Sequence, residues 1–148
     1  MRISAKGRYA FAALVEVARQ SKTGELVSVV NISERLGISK IFLEQTMSEL
    51  KKGGLINSVK GAKGGYQLAK PAHAITALDV LSNVESAILE KADATVAQRA
   101  PAVEAALRDL LFEKLDKAII ECLSEVTIRD LLDCADAQNE EQAFMLNM

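Results

Sequence analysis

The chain has 148 residues, enough for one domain or for a small domain plus a dimerisation element. Its composition, 49% hydrophobic and 26% charged, excludes a disordered, collagen-like or disulfide-scaffold protein. The net charge of -2 hides an asymmetry: residues 1–70 carry 12 Lys and Arg against 5 Asp and Glu, and residues 71–148 carry 6 against 15. A half at +7 joined to a half at -9 points the first half toward a polyanion.

No apolar run approaches the roughly 18 residues of a membrane span. The opening MRISAKGRYA lacks an apolar stretch ahead of a cleavage site, so it does not read as a secretory signal. Two cysteines, Cys122 and Cys134, are too few for a disulfide framework or a self-contained structural zinc site. The chain reads as cytoplasmic, with no membrane partner, no metal and no cofactor.

The first helix is expected from about Lys6 to Gln20, with Ala10, Phe11, Leu14, Val17 and Ala18 on one face. A short helix follows over Val29–Leu36, capped by Ser28 and stopped by Gly37. Ser39 caps a third helix that runs to about Lys52 and ends at Gly53-Gly54. Two short helices joined by Gly37-Ile38-Ser39 make a helix-turn-helix. Leu55–Val59 and Tyr66–Leu68 read as two strands of a hairpin, and a hairpin after a helix-turn-helix is a wing. The fold class is therefore mainly α with a small β-hairpin wing.

The chain divides near Pro71, since all eight glycines lie before residue 66. Residues 1–70 read as a winged helix-turn-helix domain, and residues 71–148 as a helical linker, a long helix and a tail. Thr76-x-x-Asp79 is a capping box opening a short helix with a Leu78, Leu81 and Val84 stripe. Residues 85–100 are Ala-rich and fit either a helix or a mobile loop. Pro101 suits the first turn of a long helix reaching about Ser124. Its apolar side is Leu107, Leu111, Leu115, Ala118, Ile119 and Cys122, broadened by Leu110 and Leu123. Glu104/Arg108 and Glu113/Lys117 are spaced as i,i+4 ion pairs. A second capping box, Thr127-x-x-Asp130, opens a helix through about Cys134, followed by the tail NEEQAFMLNM.

The third helix carries the sharpest functional signal. Leu43, Met47 and Leu50 share one face, and Ile41, Gln45, Ser48 and Lys52 share the opposite one, with Glu44 at its edge. Such a face suits a DNA major groove. Gln45 pairs with adenine, Glu44 accepts from cytosine N4, and Ile41 or Phe42 touches a thymine methyl. Ser39, Lys40 and the amides at the helix start suit phosphate. An ordinary solvated face is the competing explanation, and an outward Ile41 fits it poorly. In the wing, Lys60 and Lys63 flank small residues that admit a close approach to a duplex. Arg2, Lys6 and Arg8 add phosphate-binding charge if they lie beside the third helix.

No reaction centre can be assembled. His73 is the only histidine and reads as a surface residue. Cys122 reads as a small buried hydrophobe or as a thiol at a two-fold helix interface. Cys134 lies beside Asp133 and Asp136, whose charge disfavours a reactive thiolate. The chain is not expected to be an enzyme.

The opening MRISAKGRYA, the stretch ISERLGISKIFLEQTMSELKKGGLINSVKGAKGGYQL and ITALDVL resemble the Rrf-two (Rrf2) family of bacterial winged-helix transcription regulators. The resemblance is close over residues 1–84 and looser over the long helix and Thr127–Leu132. It implies a homodimer in which the long helices cross, each third helix enters a major groove and each wing a minor groove. The residues it assigns to base reading are Ile41, Phe42, Glu44 and Gln45, with Lys60 in the wing. Periodicity alone does not separate a dimer helix from an intramolecular one, so the dimer rests on the resemblance.

Cluster-binding members of that family place three cysteines between the short and the long helix. Residues 85–106 contain neither cysteine nor histidine, so a thiolate-held iron–sulfur cluster lacks its ligands. The tail EEQAFMLNM is similar to the tail of the family's cysteine-metabolism repressor, which implies control of sulfur metabolism and contact with a cysteine-biosynthesis enzyme. The expected function is a homodimeric, cluster-free repressor of a near-palindromic operator. The alternatives are a protein-interaction module acting through a metabolic enzyme, and a thiol-based redox sensor.

Overall fold

Three serines start the helices of the N-terminal half. Ser4 Oγ accepts from Gly7 N, Ser28 Oγ from Asn31 N and Ser39 Oγ from Phe42 N, each satisfying an amide of a first turn. In the computed structural model, which describes residues 2–147, the helices they open are α1 (Ala5–Ser21), α2 (Val29–Leu36) and α3 (Lys40–Lys52). Gly37 ends α2 at φ 68°, the left-handed conformation in which a Cβ is strained. The boundaries of α2 and α3 agree with those expected from their caps, and α1 extends one residue beyond its expected bounds at each end, with Ser4 as an additional cap.

Strands β1 (Ile56–Val59) and β2 (Gly65–Leu68) pair antiparallel, with Ile56 opposite Leu68 and Val59 opposite Gly65. Gly61, at φ 111°, lets the tip turn between them. Val27 adds a bridge, exchanging two backbone hydrogen bonds with Tyr66 at 2.8 and 2.9 Å. That bridge anchors the wing to the approach to α2.

The capping boxes at Thr76 and Thr127 are both closed and open α4 (Ala77–Val84) and α7 (Ile128–Leu146). The two caps also form a bridge: Ala77 N donates to Val126 O at 2.8 Å and Ile128 N to Ile75 O at 2.9 Å. This bridge brings the start of α7 back to α4. Ile75, Val80, Leu81, Ile128 and Leu132 then share one core with Leu14, Val17, Ile32, Leu43, Met47 and Leu50. Each such buried side chain contributes about 1.5–3 kcal/mol of transfer free energy.

Five expectations are revised, and one left open is settled. The buried face of α4 is Ala77, Val80, Leu81 and Val84, and Leu78 is only half-buried. Residues 85–100 hold one 3-10 turn, Ser86–Leu89, and are otherwise irregular. The long helix is α5 (Pro101–Leu107), a wide π turn (Arg108–Phe112) and α6 (Glu113–Glu125). In that turn Glu113 N donates to Arg108 O five residues back. The expected Glu104/Arg108 pair does not form. Glu104 instead accepts from the amides of Thr95 and Val96, and Arg108 pairs with Asp109 and Glu113. Lys117 pairs with Glu121 rather than Glu113. Finally, α7 does not stop near Cys134 but continues to Leu146, because the tail holds neither Gly nor Pro and is rich in Ala, Gln, Glu, Met and Leu.

An ionic chain runs across the first and last helices. Arg35 donates to Glu16 at 2.8 Å, Glu16 lies 3.8 Å from Arg19, and Arg19 bonds Asp136 on α7, with Lys22 3.7 Å from the same carboxylate. The Arg19 guanidinium, followed by Lys22, holds the Asp136 carboxyl below its ordinary 3.8. A lowered carboxyl adds stability above its ordinary value and loses it as pH falls through the lowered one. Asp136→Asn should therefore lower the thermal midpoint slightly at neutral pH, and the gap from wild type should close in acid. A gap that stays constant through acid would mean that Asp136 does not clasp α1.

Candidate nucleic-acid interface

Helix α3 divides cleanly into two faces. Leu43, Thr46, Met47 and Leu50 are buried, while Glu44, Gln45, Ser48 and Lys52 are exposed. Ile41 is 73% exposed, an apolar side chain held in water by a helix that has a core face available. Ile41, Glu44, Gln45, Ser48, Glu49 and Lys52 line one continuous shallow surface. The surface offers an amide that donates and accepts, a carboxylate acceptor, a hydroxyl, an apolar tip and a cation, a set suited to base edges.

The remaining predicted positions sort by what they already touch. Ser39 is occupied as the cap of α3. Lys40 lies 4.0 Å from Glu44, a loose pair that leaves its ammonium available to phosphate. Phe42 is half-buried and meets Tyr9 edge-to-face at 5.2 Å, so Ile41 is the apolar side chain that projects. Lys6 does lie beside α3, but its ammonium donates to Glu49 at 3.1 Å and is partly neutralised. Arg2 and Arg8 are exposed and line one cleft with Glu85, and Arg8 donates to Ile3 O at 2.7 Å.

Lys60 and Lys63 are exposed at the wing tip and make no ion pair among the described residues. Tyr66, on β2, is half-buried and packs against the core. Burial, and then the charge of Glu44, push its phenol above its ordinary 10.0.

The stripe on the long helix is uncovered in the single chain. Leu110, Leu111 and Leu115 are 69%, 45% and 49% exposed, and Ala118 and Cys122 are exposed too. Leu107, Ile119 and Leu123 are half-buried, with Leu123 packed against the core. Cys122 is thus not a buried hydrophobe within one chain; both cysteines are free and exposed. His73 is exposed in a 3-10 turn, as expected. No helix is long and apolar enough to cross a membrane among the described residues.

A helix-turn-helix with a basic wing and an exposed polar face on its second helix defines a winged-helix DNA-binding protein. The comparisons narrow the class. The family described as Rrf2, Iron-dependent Transcriptional regulator, matches residues 3–134. The HTH-type transcriptional regulator IscR of Yersinia pseudotuberculosis is 39% identical over 150 residues, covering 95% of this chain and 88% of the relative. Among solved structures, CymR (YrzC), the global cysteine regulator of B. subtilis, has a TM-score of 0.74 at 31% identity, over 90% of this chain and 97% of the other. T. potens IscR has a TM-score of 0.70 at 35% identity, over 93% and 91%. The chain belongs to the Rrf2 family. It is a DNA-binding transcription regulator and not an enzyme.

Proposed function

We propose that the protein is a homodimeric repressor that reads a near-palindromic operator and controls sulfur metabolism without an iron–sulfur cluster. The observation that carries this reading is the outward face of α3 at Ile41, Gln45, Ser48 and Lys52, with two exposed lysines at the wing tip, Lys60 and Lys63, that make no ion pair among the described residues. Residues 1–70 contact DNA in this reading, and residues 71–148 pair the subunits and receive the signal. Two copies joined by the uncovered stripe present two recognition helices to two half-sites, so operator symmetry follows protein symmetry. Repression is promoter occlusion, and a signal that alters the spacing of the recognition helices alters affinity.

The family description is iron-dependent, and the donor set of this chain does not fit a thiolate-held cluster. The segment from 85 to 106 has no cysteine or histidine, and the two cysteines lie on separate helices, α6 and α7. Among the described residues, no three His, Cys, Asp or Glu groups converge as metal ligands. Assignment to sulfur metabolism is supported by the similarity to a cysteine regulator and by the acidic–aromatic tail.

A second reading is favoured by the end of α7, where Phe144, Met145 and Leu146 are 69%, 67% and 87% exposed. Such an end suits a protein partner, with a cysteine-biosynthesis enzyme as the candidate. Pull-down from lysate with and without nuclease separates a direct partner from one bridged by DNA.

The test of the main reading is selection of bound fragments from sheared genomic DNA at about 0.15 M salt. A recovered palindrome beside sulfur-metabolism genes is the expected result. Random fragments that vanish as salt rises would mean electrostatic attraction alone. On the recovered site, Gln45→Ala should cost roughly 1–3 kcal/mol and relax base preference. Lys60→Ala should weaken binding to every sequence alike and flatten the salt slope by about one. Unchanged binding in both variants would place the interface elsewhere.

A further inference from the structure

Between the 90–100 segment and the α5–α6 helix lies a crevice of about 290 Å³, a small-molecule size that the DNA interface does not use. The backbone anomaly of the chain sits in its wall. On a regular α-helix, positions four apart drift by about 40° each step, so Glu104 and Asp116 would stand about 120° apart. The π turn at Arg108–Phe112 takes an extra residue into one turn and removes most of that drift. Glu104, Arg108, Phe112 and Asp116 consequently all line the crevice. π turns of this kind are frequent at functional sites.

The charges along the wall are not used up internally. Glu104 is spent on the facing segment, accepting from Thr95 N at 3.1 Å and Val96 N at 2.8 Å, and so holds that segment over the helix. Asp116 is half-buried and makes no ion pair among the described residues, and neither does Lys91 on the facing segment. Arg108 commits only its Nε, to Asp109 at 3.1 Å and Glu113 at 3.9 Å, which leaves its two terminal nitrogens for a forked contact. The lining carries three carboxylates, Glu104, Glu113 and Asp116, and two cations, Lys91 and Arg108, so charges of both signs face the crevice, as both ends of a zwitterion require. Phe112 and the alanines of the segment supply an apolar floor.

We propose that this crevice binds a small zwitterion of the α-amino-acid class, with its ammonium at Asp116 and its carboxylate at Arg108 and Lys91. Bound there, the ligand ties the 90–100 segment to the helix that carries Leu107, Leu111 and Leu115, and so biases how two such helices pair. That consequence for DNA rests on the regulator reading; the binding itself does not.

The test screens the full chain by thermal melting against each of the twenty proteinogenic α-amino acids at millimolar concentration, with titration calorimetry on those that raise the midpoint. At least one should bind, and its amine-free acid and its decarboxylated amine should not. Asp116→Asn should weaken binding at least about tenfold. Ala97→Phe, which fills the crevice from the irregular segment, should abolish binding and leave the midpoint of the free protein in place. The proposal falls if no amino acid binds, if the amine-free acid binds equally well, or if both variants bind as wild type does. A protein that selects an operator but binds no amino acid loses only this proposal. One that binds an amino acid but selects no operator loses only the regulator reading.

Discussion

Aspartate at both Leu111 and Leu115 is expected to give a folded monomer whose operator affinity is lower by roughly 10²–10⁴-fold, the usual gain from joining two binding modules. Both leucines are nearly half exposed in the single chain, and no residue of α5, the π turn or α6 is fully buried. Their replacement therefore removes little from the intramolecular core. In a dimer the same two carboxylates would be buried in an apolar seam, where unpaired charges are not tolerated. Sedimentation of the variant reads the assembly, and fluorescence anisotropy on the selected site reads the affinity. A variant that sediments as a dimer and binds normally would show that this stripe is not the seam.

The second large effect separates the two faces of one helix. Leu43→Ala should destabilise the protein by about 2–5 kcal/mol, because Leu43 is fully buried and its loss leaves a cavity among packed neighbours. Ile41→Ala, two residues earlier, should change stability by less than about 0.5 kcal/mol, because Ile41 stands in solvent. Yet Ile41→Ala should weaken operator binding wherever a thymine methyl is contacted. Urea unfolding and operator titration on the two variants form a crossed comparison. If Ile41→Ala destabilised as much as Leu43→Ala, the assignment of faces would be wrong.

The helix-turn-helix was legible residue by residue because its signals are local. A serine oxygen reaches an amide three residues on, and a glycine at positive φ needs no distant partner, so Ser28, Gly37 and Ser39 mark helix ends in any surroundings. The outward face of α3 followed from spacing alone, since Leu43, Met47 and Leu50 define the side that must be covered. The two capping boxes were visible for the same reason. Their bridge to each other, between residues 76 and 127, was not, because nothing near either one points to the other.

The charges at the interface were legible only as counts. Lys6 and Lys60 look alike in the sequence, but Lys6 meets a carboxylate 43 residues away, while Lys60 is exposed at the wing tip and makes no ion pair among the described residues. Tyr9 and Phe42 draw together across α1 and α3, which turns Phe42 inward and leaves Ile41 to project. The π turn has no local announcement, as RDLLF contains neither Gly nor Pro.

Chain order alone therefore specified the helix-turn-helix, the wing, the two capping boxes, the basic half and the face of α3, because each depends on near neighbours or on composition, but not the π turn or the full length of α7. Tertiary structure decided which stripes are covered, which cations are free and which helix positions share a crevice. Those depend on contacts between residues tens of positions apart, and whether such groups meet is set by how the helices pack.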